Sequence, residues 1–321
     1  NGQDCTGSKL WEGSEMNKPK MDYIASVSGG KDSAAMCLHL KELGIEHRRI
    51  FFDTGWEHPT LYKYLKEELP EAIGEIEWVT APLPDLDEER EAVALKYESR
   101  LGHQSAMIRW ILYKTMFPTR MRRWCTEHLK INAIKSFFRE AGLDLPVNTV
   151  GVRAEESVYR SKLPERELST SLDCMVWRPI LHWTKQDVID IHSRHQVRPC
   201  SLYLNGAERV GCWPCIFSRK SEVRYLAETD QVRVDLLRDL EADVQRLKNG
   251  WNLAKHGMTT EERGHEPPTF FSDKGGLNMA SIDQAIEWSK TSRGGKQFAM
   301  FRQDEIEPGC MSWGLCDTGT R

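Results

Sequence analysis

The chain has 321 residues, 29% of them charged and 40% hydrophobic, with a net charge of −4. That length buries a large core in one elaborated domain or two. The mild acidity carries no global nucleic-acid signature, so any basic surface has to be local. No run of about 18 apolar residues exists, so no membrane span is expected. No charged-then-apolar leader opens the chain, which makes the cytoplasm the expected location. Nine cysteines in such a protein point to metal or redox chemistry before disulfides.

Residues 1–20 are polar and aperiodic and predict a flexible tail that contains Cys5, with Met16 or Met21 a natural start for the ordered chain. From Tyr23 onward, strands over 23–27, 48–53 and 76–79 alternate with helices over 32–43 and 58–68. Such alternation predicts βα units and a parallel sheet, with ligands beyond the carboxyl ends of its strands. The first of those ends reads Ser28-Gly29-Gly30-Lys31-Asp32-Ser33. A strand that turns through glycines into a helix start leaves unpaired N–H groups and partial positive charge, which suits a phosphate. Gly29 and Gly30 let the backbone approach the anion, and Ser28, Lys31 and Ser33 add donors. The spacing is not that of a Walker loop. The second end reads Asp53-Thr54-Gly55-Trp56-Glu57-His58-Pro59-Thr60, where Asp53 is placed to accept a bond from a ligand amine or hydroxyl.

Further on, Arg109, Lys114, Arg120, Arg122 and Arg123 are interleaved with Trp110, Tyr113, Phe117 and Trp124. Cations with rings suit a polyanion that carries stackable bases, and an amphipathic helix has the same composition. A strand over 147–150 delivers Gly151-Val152-Arg153-Ala154-Glu155-Glu156-Ser157-Val158-Tyr159-Arg160. Arg153 and Arg160 can fork onto phosphate or sulfate oxygens with Glu156 orienting one of them, and Arg166 is a further candidate. Thr184 reads as an N-cap with Asp187 at the third helical position. Cys200 and the Cys212-Trp213-Pro214-Cys215 pair, with Cys125 as a fourth thiolate, predict structural zinc or an iron–sulfur cluster. Cys37 and Cys174 read as small buried hydrophobes. Residues 221–250 read as charged helix, 251–280 as loop and 281–290 as a short helix, together a cap over the sheet ends, before a tail with Cys310 and Cys316.

Ser-Gly-Gly-Lys-Asp-Ser resembles the PP-loop of ATP pyrophosphatases, which split ATP between the α- and β-phosphates and adenylate a substrate. The Asp53 loop resembles the Asp-Thr-Gly-x-x-x-Pro-x-Thr loop of sulfonucleotide reductases, short of one spacer before Thr60. Gly-x-Arg-x-x-Glu-Ser-x-x-Arg at 151–160 and Pro179, Ile180, Trp183 and Asp187 also resemble that superfamily, so the resemblance spans about 22–220. The cysteine pattern is similar to that of the ATP pyrophosphatases of DNA phosphorothioation (Dnd and Ssp types). The resemblance implies a three-layer α/β parallel-sheet PP-loop fold (adenine nucleotide α-hydrolase-like) over 21–220, with a mostly helical C-terminal extension over 221–321. It implies ATP and Mg2+ held by Ser28, Gly29, Gly30, Lys31, Asp32, Ser33, Asp53, Thr54 and Gly55, with Lys31, Asp32, Arg153 and Arg160 catalytic. It also implies a 4Fe–4S cluster, or zinc, on Cys125, Cys200, Cys212 and Cys215. The implied partners are nucleic acid, with a DNA phosphate as acceptor docked on 109–124, and a cysteine desulfurase as sulfur donor. The alternative is an adenylyl-sulfate or phosphoadenylyl-sulfate reductase using thioredoxin and a thiolate at Cys316 or Cys310. Trp124 where those reductases carry the first of a tandem cysteine pair, and the missing Glu-Cys-Gly-x-His, weigh against it. A non-catalytic nucleotide-binding module is a third reading.

Overall fold

The computed structural model describes residues 21–272 and 279–291. Its sheet has β1 (Asp22–Ser26), β2 (Arg48–Asp53), β3 (Glu77–Thr80), β4 (Pro146–Val150), β5 (Arg166–Ser169) and β6 (Cys174–Trp177), in the order β3-β2-β1-β4-β6-β5. All neighbours run parallel except β5 on β6. The β5–β6 pair was not foreseen, because four-residue strands are too short to show a period.

Alternation along the central strands sends side chains to two separate cores. Ile24, Ile50 and Phe52 face one side, and Ala25, Val27 and Phe51 the other. The second side is covered by α1 (Lys31–Glu42), α2 (Pro59–Lys63) and α3 (Leu69–Ile73), through Met36, Leu38, Leu61, Leu65 and Leu69. The first is covered by α4 (Glu88–Leu101), α5 (Ala106–Lys114), α6 (Trp124–Thr126) and α7 (Asn132–Glu140). A π-helical turn, Glu127–Ile131, leads into α7. α8 (Lys185–Arg194) opens on the expected box: Thr184 Oγ1 accepts the Asp187 N–H, and the Asp187 carboxylate accepts the Thr184 N–H. With the short α9 (Ser201–Leu204) it completes the α1 layer through Val188, Ile191 and Leu202.

The C-terminal region is helical: α10 (Lys220–Thr229), α11 (Gln231–His256) and α12 (Ile282–Lys290). Val223, Leu226, Leu237, Leu240, Val244 and Ile282 belong to the same core as Ile24 and Ile50. Each such buried side chain contributes about 1.5–3 kcal/mol. Buried Glu241 ties the region together by accepting the N–H groups of Phe270 and Ile282. No described helix is long and apolar enough to cross a membrane. The residue 1–20 tail, Cys310 and Cys316 lie outside the described residues.

Candidate nucleotide-binding site

The loop between β1 and α1 forms because Gly29 takes φ +71°, which side-chain-bearing residues resist. Gly30 is the N-cap of α1 and offers no side-chain acceptor, so the first helical amides face other partners. The Lys31 N–H donates to the Tyr203 hydroxyl at 3.3 Å, and the Ser33 hydroxyl donates to the Gly30 carbonyl at 2.8 Å. Ser33 Oγ in turn accepts the Ser28 N–H and lies 3.2 Å from the Ser28 hydroxyl. His192, on α8, stands 2.9 Å from the Lys31 carbonyl and 3.2 Å from that of Val197. Burial pushes its pKa down. Donors thus converge on the helix start, and all six loop residues named from the sequence are together.

Arg153 reaches this loop from the end of β4. Its Nε donates to Asp32 at 2.5 Å, and Asp32 also accepts from Lys31 Nζ at 2.7 Å. Burial works against the Arg153 charge, and the carboxylates of Asp32, Glu155 and Glu156 together outweigh it, so the pKa rises. Close approach is possible because residue 151 is glycine: a Cβ there would stand 2.6 Å from the Asp32 carbonyl oxygen and 2.9 Å from Ser33 Cα. Arg160 is half-buried and ion-paired with Glu156, whose carboxylate also accepts the Arg153 N–H at 3.0 Å. Glu156 thus contacts both the Arg153 backbone and the Arg160 side chain, and Arg153 anchors Asp32. Arg166, on β5, lies over the Trp177 ring of β6.

The second loop turns inward more than its sequence implied. Asp53 Oδ1 accepts the Gly55 N–H at 2.8 Å and the Tyr62 hydroxyl at 2.7 Å. Thr54 is buried and donates to Glu57, which also accepts the Trp56 N–H. Tyr62 Oη is 3.0 Å from Glu57 Oε2 as well. One hydroxyl proton between two carboxylates favours the neutral form of the buried Glu57. Burial pushes the Glu57 pKa up, which agrees with that arrangement.

Glu57 also meets the cysteine region. It pairs with Cys212 as an isolated β-bridge, and the Cys212 thiol is 3.9 Å from its carboxyl. Trp56 locks the same junction by donating its indole N–H to the Pro214 carbonyl at 3.0 Å. Cys125, Cys212 and Cys215 lie within electrostatic reach of one another and of Lys130. Their negative forms, Cys212 first, pull the Lys130 pKa up. Burial pushes the Cys212 thiol up to about 12, against the pull of Lys130.

Cys200 is elsewhere. It is buried in the α1-side core beside Tyr64 and Tyr203, and burial pushes its thiol up to about 11. Among the described residues no group of three or more His, Cys, Asp or Glu side chains is arranged to hold a metal ion. The expected four-thiolate zinc or 4Fe–4S site on Cys125, Cys200, Cys212 and Cys215 is not assembled among the described residues. Its members are divided between the two faces of the sheet. Mg2+ likewise has no protein-built site among these residues, and Asp32 already accepts from Lys31 and Arg153.

The phosphoadenosine phosphosulfate reductase domain profile matches residues 22–218, more than half of the chain. The chain belongs to that family. An uncharacterized 37.8 kDa protein of Escherichia phage 186 is 29% identical over 325 residues, covering 92% of this chain and 96% of its own. An adenosine 5'-phosphosulfate reductase of Allochromatium vinosum is 34% identical over 65 residues, 20% of this chain and 25% of that enzyme. The structure of a phosphoadenylyl-sulfate reductase from Candida auris aligns over 62% of this chain and 83% of its own, with 16% identity and a TM-score of 0.43.

In this reductase-family chain the basic–aromatic segment 109–124 is divided, with Arg109, Phe117 and Trp124 buried and Tyr113, Arg120, Arg122 and Arg123 exposed. Arg109 is buried and donates to both Glu98 and Glu91. Phe117 and Trp124 are core residues, and Trp110 stacks on His128. An amphipathic helix accounts for that half of the segment. Only Tyr113 and the turn carrying Arg120, Arg122 and Arg123 are exposed among the residues named. Sequence reading missed Tyr62, Tyr203, His192 and Lys130 as site residues, because each acts across a fold-dependent distance. Glu57 lay inside a quoted motif and drew no role.

Proposed function

We propose that this chain binds ATP at the β1–α1 loop and transfers its adenylyl group to an oxygen of a nucleic-acid phosphate, which then accepts sulfur. The carrying observation is the convergence of the α1 start, the Ser28 and Ser33 hydroxyls and Lys31 on one turn, clamped by Arg153 through Asp32. Triphosphate oxygens would replace the internal partners of those donors, and the helix start favours their charge. The acceptor oxygen forms a bond to the α-phosphorus, the α–β bridging bond breaks, and pyrophosphate leaves with the electron pair. A phosphodiester oxygen is already ionised at neutral pH, so no general base is needed. The protein's part is charge neutralisation and alignment. A Mg2+ carried on the triphosphate would shield its charge. Sulfur would arrive as the persulfide of a cysteine desulfurase partner, whose terminal sulfur bonds to the phosphorus as AMP leaves, and a thiol reductant would then cleave the S–S bond to leave the phosphorothioate.

The test is pyrophosphate release from ATP by anaerobically purified full-length protein, with and without DNA or RNA. Pyrophosphate release stimulated by nucleic acid supports the reading. The similarity to the Allochromatium vinosum reductase favours one rival. Sulfite release from adenylyl sulfate, without ATP cleavage, would replace adenylation by reduction.

A further inference from the structure

The protein is acidic, yet one surface gathers cations that pair with no carboxylate among the described residues. The turn at 119–123 is closed by the Thr119 N–H donating to the Arg122 carbonyl at 3.1 Å. It displays Arg120, Arg122 and Arg123 around Met121, which is 79% exposed. The turn is seated on the segment just after Cys215. Arg120 Nε donates to the Ile216 carbonyl at 3.4 Å, and the guanidinium groups of Arg120 and Arg123 lie 5.7 and 5.1 Å from the Phe217 ring centre. The C-terminal region adds to the patch. Lys248 on α11 is near enough both to Arg122 and to Arg263, on the following loop, that their like charges depress its pKa, after burial as the larger cause. Arg263 is braced by the Asn252 side chain at 2.8 Å.

None of these five cations makes an ion pair with a described carboxylate. The neighbouring acids are engaged elsewhere: Glu261 accepts from Gln245, and Glu262 accepts the Thr259 N–H. Mutually repelling, unpaired cations held in one place are stabilised by an anion of matching extent. One helical turn beyond Lys248, on the same face of α11, Trp251 is exposed with Lys255 over its ring. A ring beside a cationic strip suits unpaired bases on a charged backbone.

We propose that Arg120, Arg122, Arg123, Lys248 and Arg263 bind the sugar–phosphate backbone of a single-stranded nucleic acid, with Trp251 stacking on a base. This rests on the adenylation reading for its purpose and names the partner of that site. It replaces the buried half of the 109–124 segment with residues the sequence did not connect.

The experiment measures fluorescence anisotropy of labelled single strands of DNA and RNA, about 20 nucleotides long so as to exceed one site, against full-length protein over a salt series. Five phosphate contacts predict a log–log salt slope of about −3.5 for a single strand, and Arg122→Gln, Lys248→Gln and Arg263→Gln together should reduce its magnitude by about 2. Trp251→Ala should weaken binding about tenfold or more with the slope unchanged. The exposed single change Arg122→Glu serves as a second variant, and melting curves confirm that each variant is folded. A preference between DNA and RNA identifies the strand, and either supports the surface. An unchanged slope in the triple variant overturns it, as do duplex bound as tightly as single strand or equal loss of binding to anionic vesicles. ATP cleavage without single-strand binding defeats this proposal alone. Single-strand binding that the variants abolish, without ATP cleavage, defeats the adenylation reading alone.

Discussion

The β1–α1 loop and the cysteine region are both signalled by short motifs, and the fold treats them oppositely. Ser28 through Ser33 stay together because they are consecutive and their contacts are mutual: Ser28 with Ser33, Ser33 with Gly30, Lys31 with Asp32. Cys125, Cys200, Cys212 and Cys215 read as one set by residue type, yet Cys200 is packed on the opposite side of the sheet from the other three. A motif within one turn carries its own geometry. A set assembled across 90 residues carries only a composition until the chain is threaded.

Breaking the loop should have the largest effect. Arg153→Ala leaves Asp32 without its buried partner and should cost about 3–5 kcal/mol, read by urea unfolding, with pyrophosphate release lost. Should the variant unfold at the wild-type midpoint, the clamp is not structural. Gly151→Ala pushes a methyl group into the Asp32 and Ser33 backbone. It should cost about 1–3 kcal/mol and raise the KM for ATP more than it lowers kcat.

On the cysteine side, Cys200→Ala should cost about 1 kcal/mol while leaving alkylation of Cys125, Cys212 and Cys215 unchanged by peptide mass spectrometry. Altered labelling of those three would reunite the set and break the comparison. The last test addresses Glu57, where the regions meet. Its folded pKa is raised, so its contribution is complete below the ordinary value of 4.5 and is lost as pH rises through the folded value. Glu57→Gln, whose amide can still donate to Tyr62, should therefore gain stability relative to wild type as pH increases above about 4.5. Parallel melting-temperature profiles for the two proteins would show that Glu57 is ionised in the fold.

Much of the architecture was readable from local patterns. The strand–helix alternation from Tyr23, the α8 capping box at Thr184 and the phosphate-type loop all depend on residues within one or two turns of each other. Asp53 closes β2, and its hydroxyl partner Tyr62 approaches from the next helix, so the carboxylate is already engaged. Arg109 had the same composition signal as Arg122. Only packing shows that the first is sealed against Glu91 and Glu98 and the second faces solvent.

By itself, then, the sequence determined the parallel α/β plan and the glycine turn at the end of β1, since periodicity and backbone freedom act over a few residues. The tertiary structure alone decided that Arg153 clamps Asp32, that Glu57 touches both loop and thiol, and that Arg122 joins Lys248 and Arg263. Those pairings are created by burial and charge between segments far apart in the chain, and nothing local encodes which of them will meet.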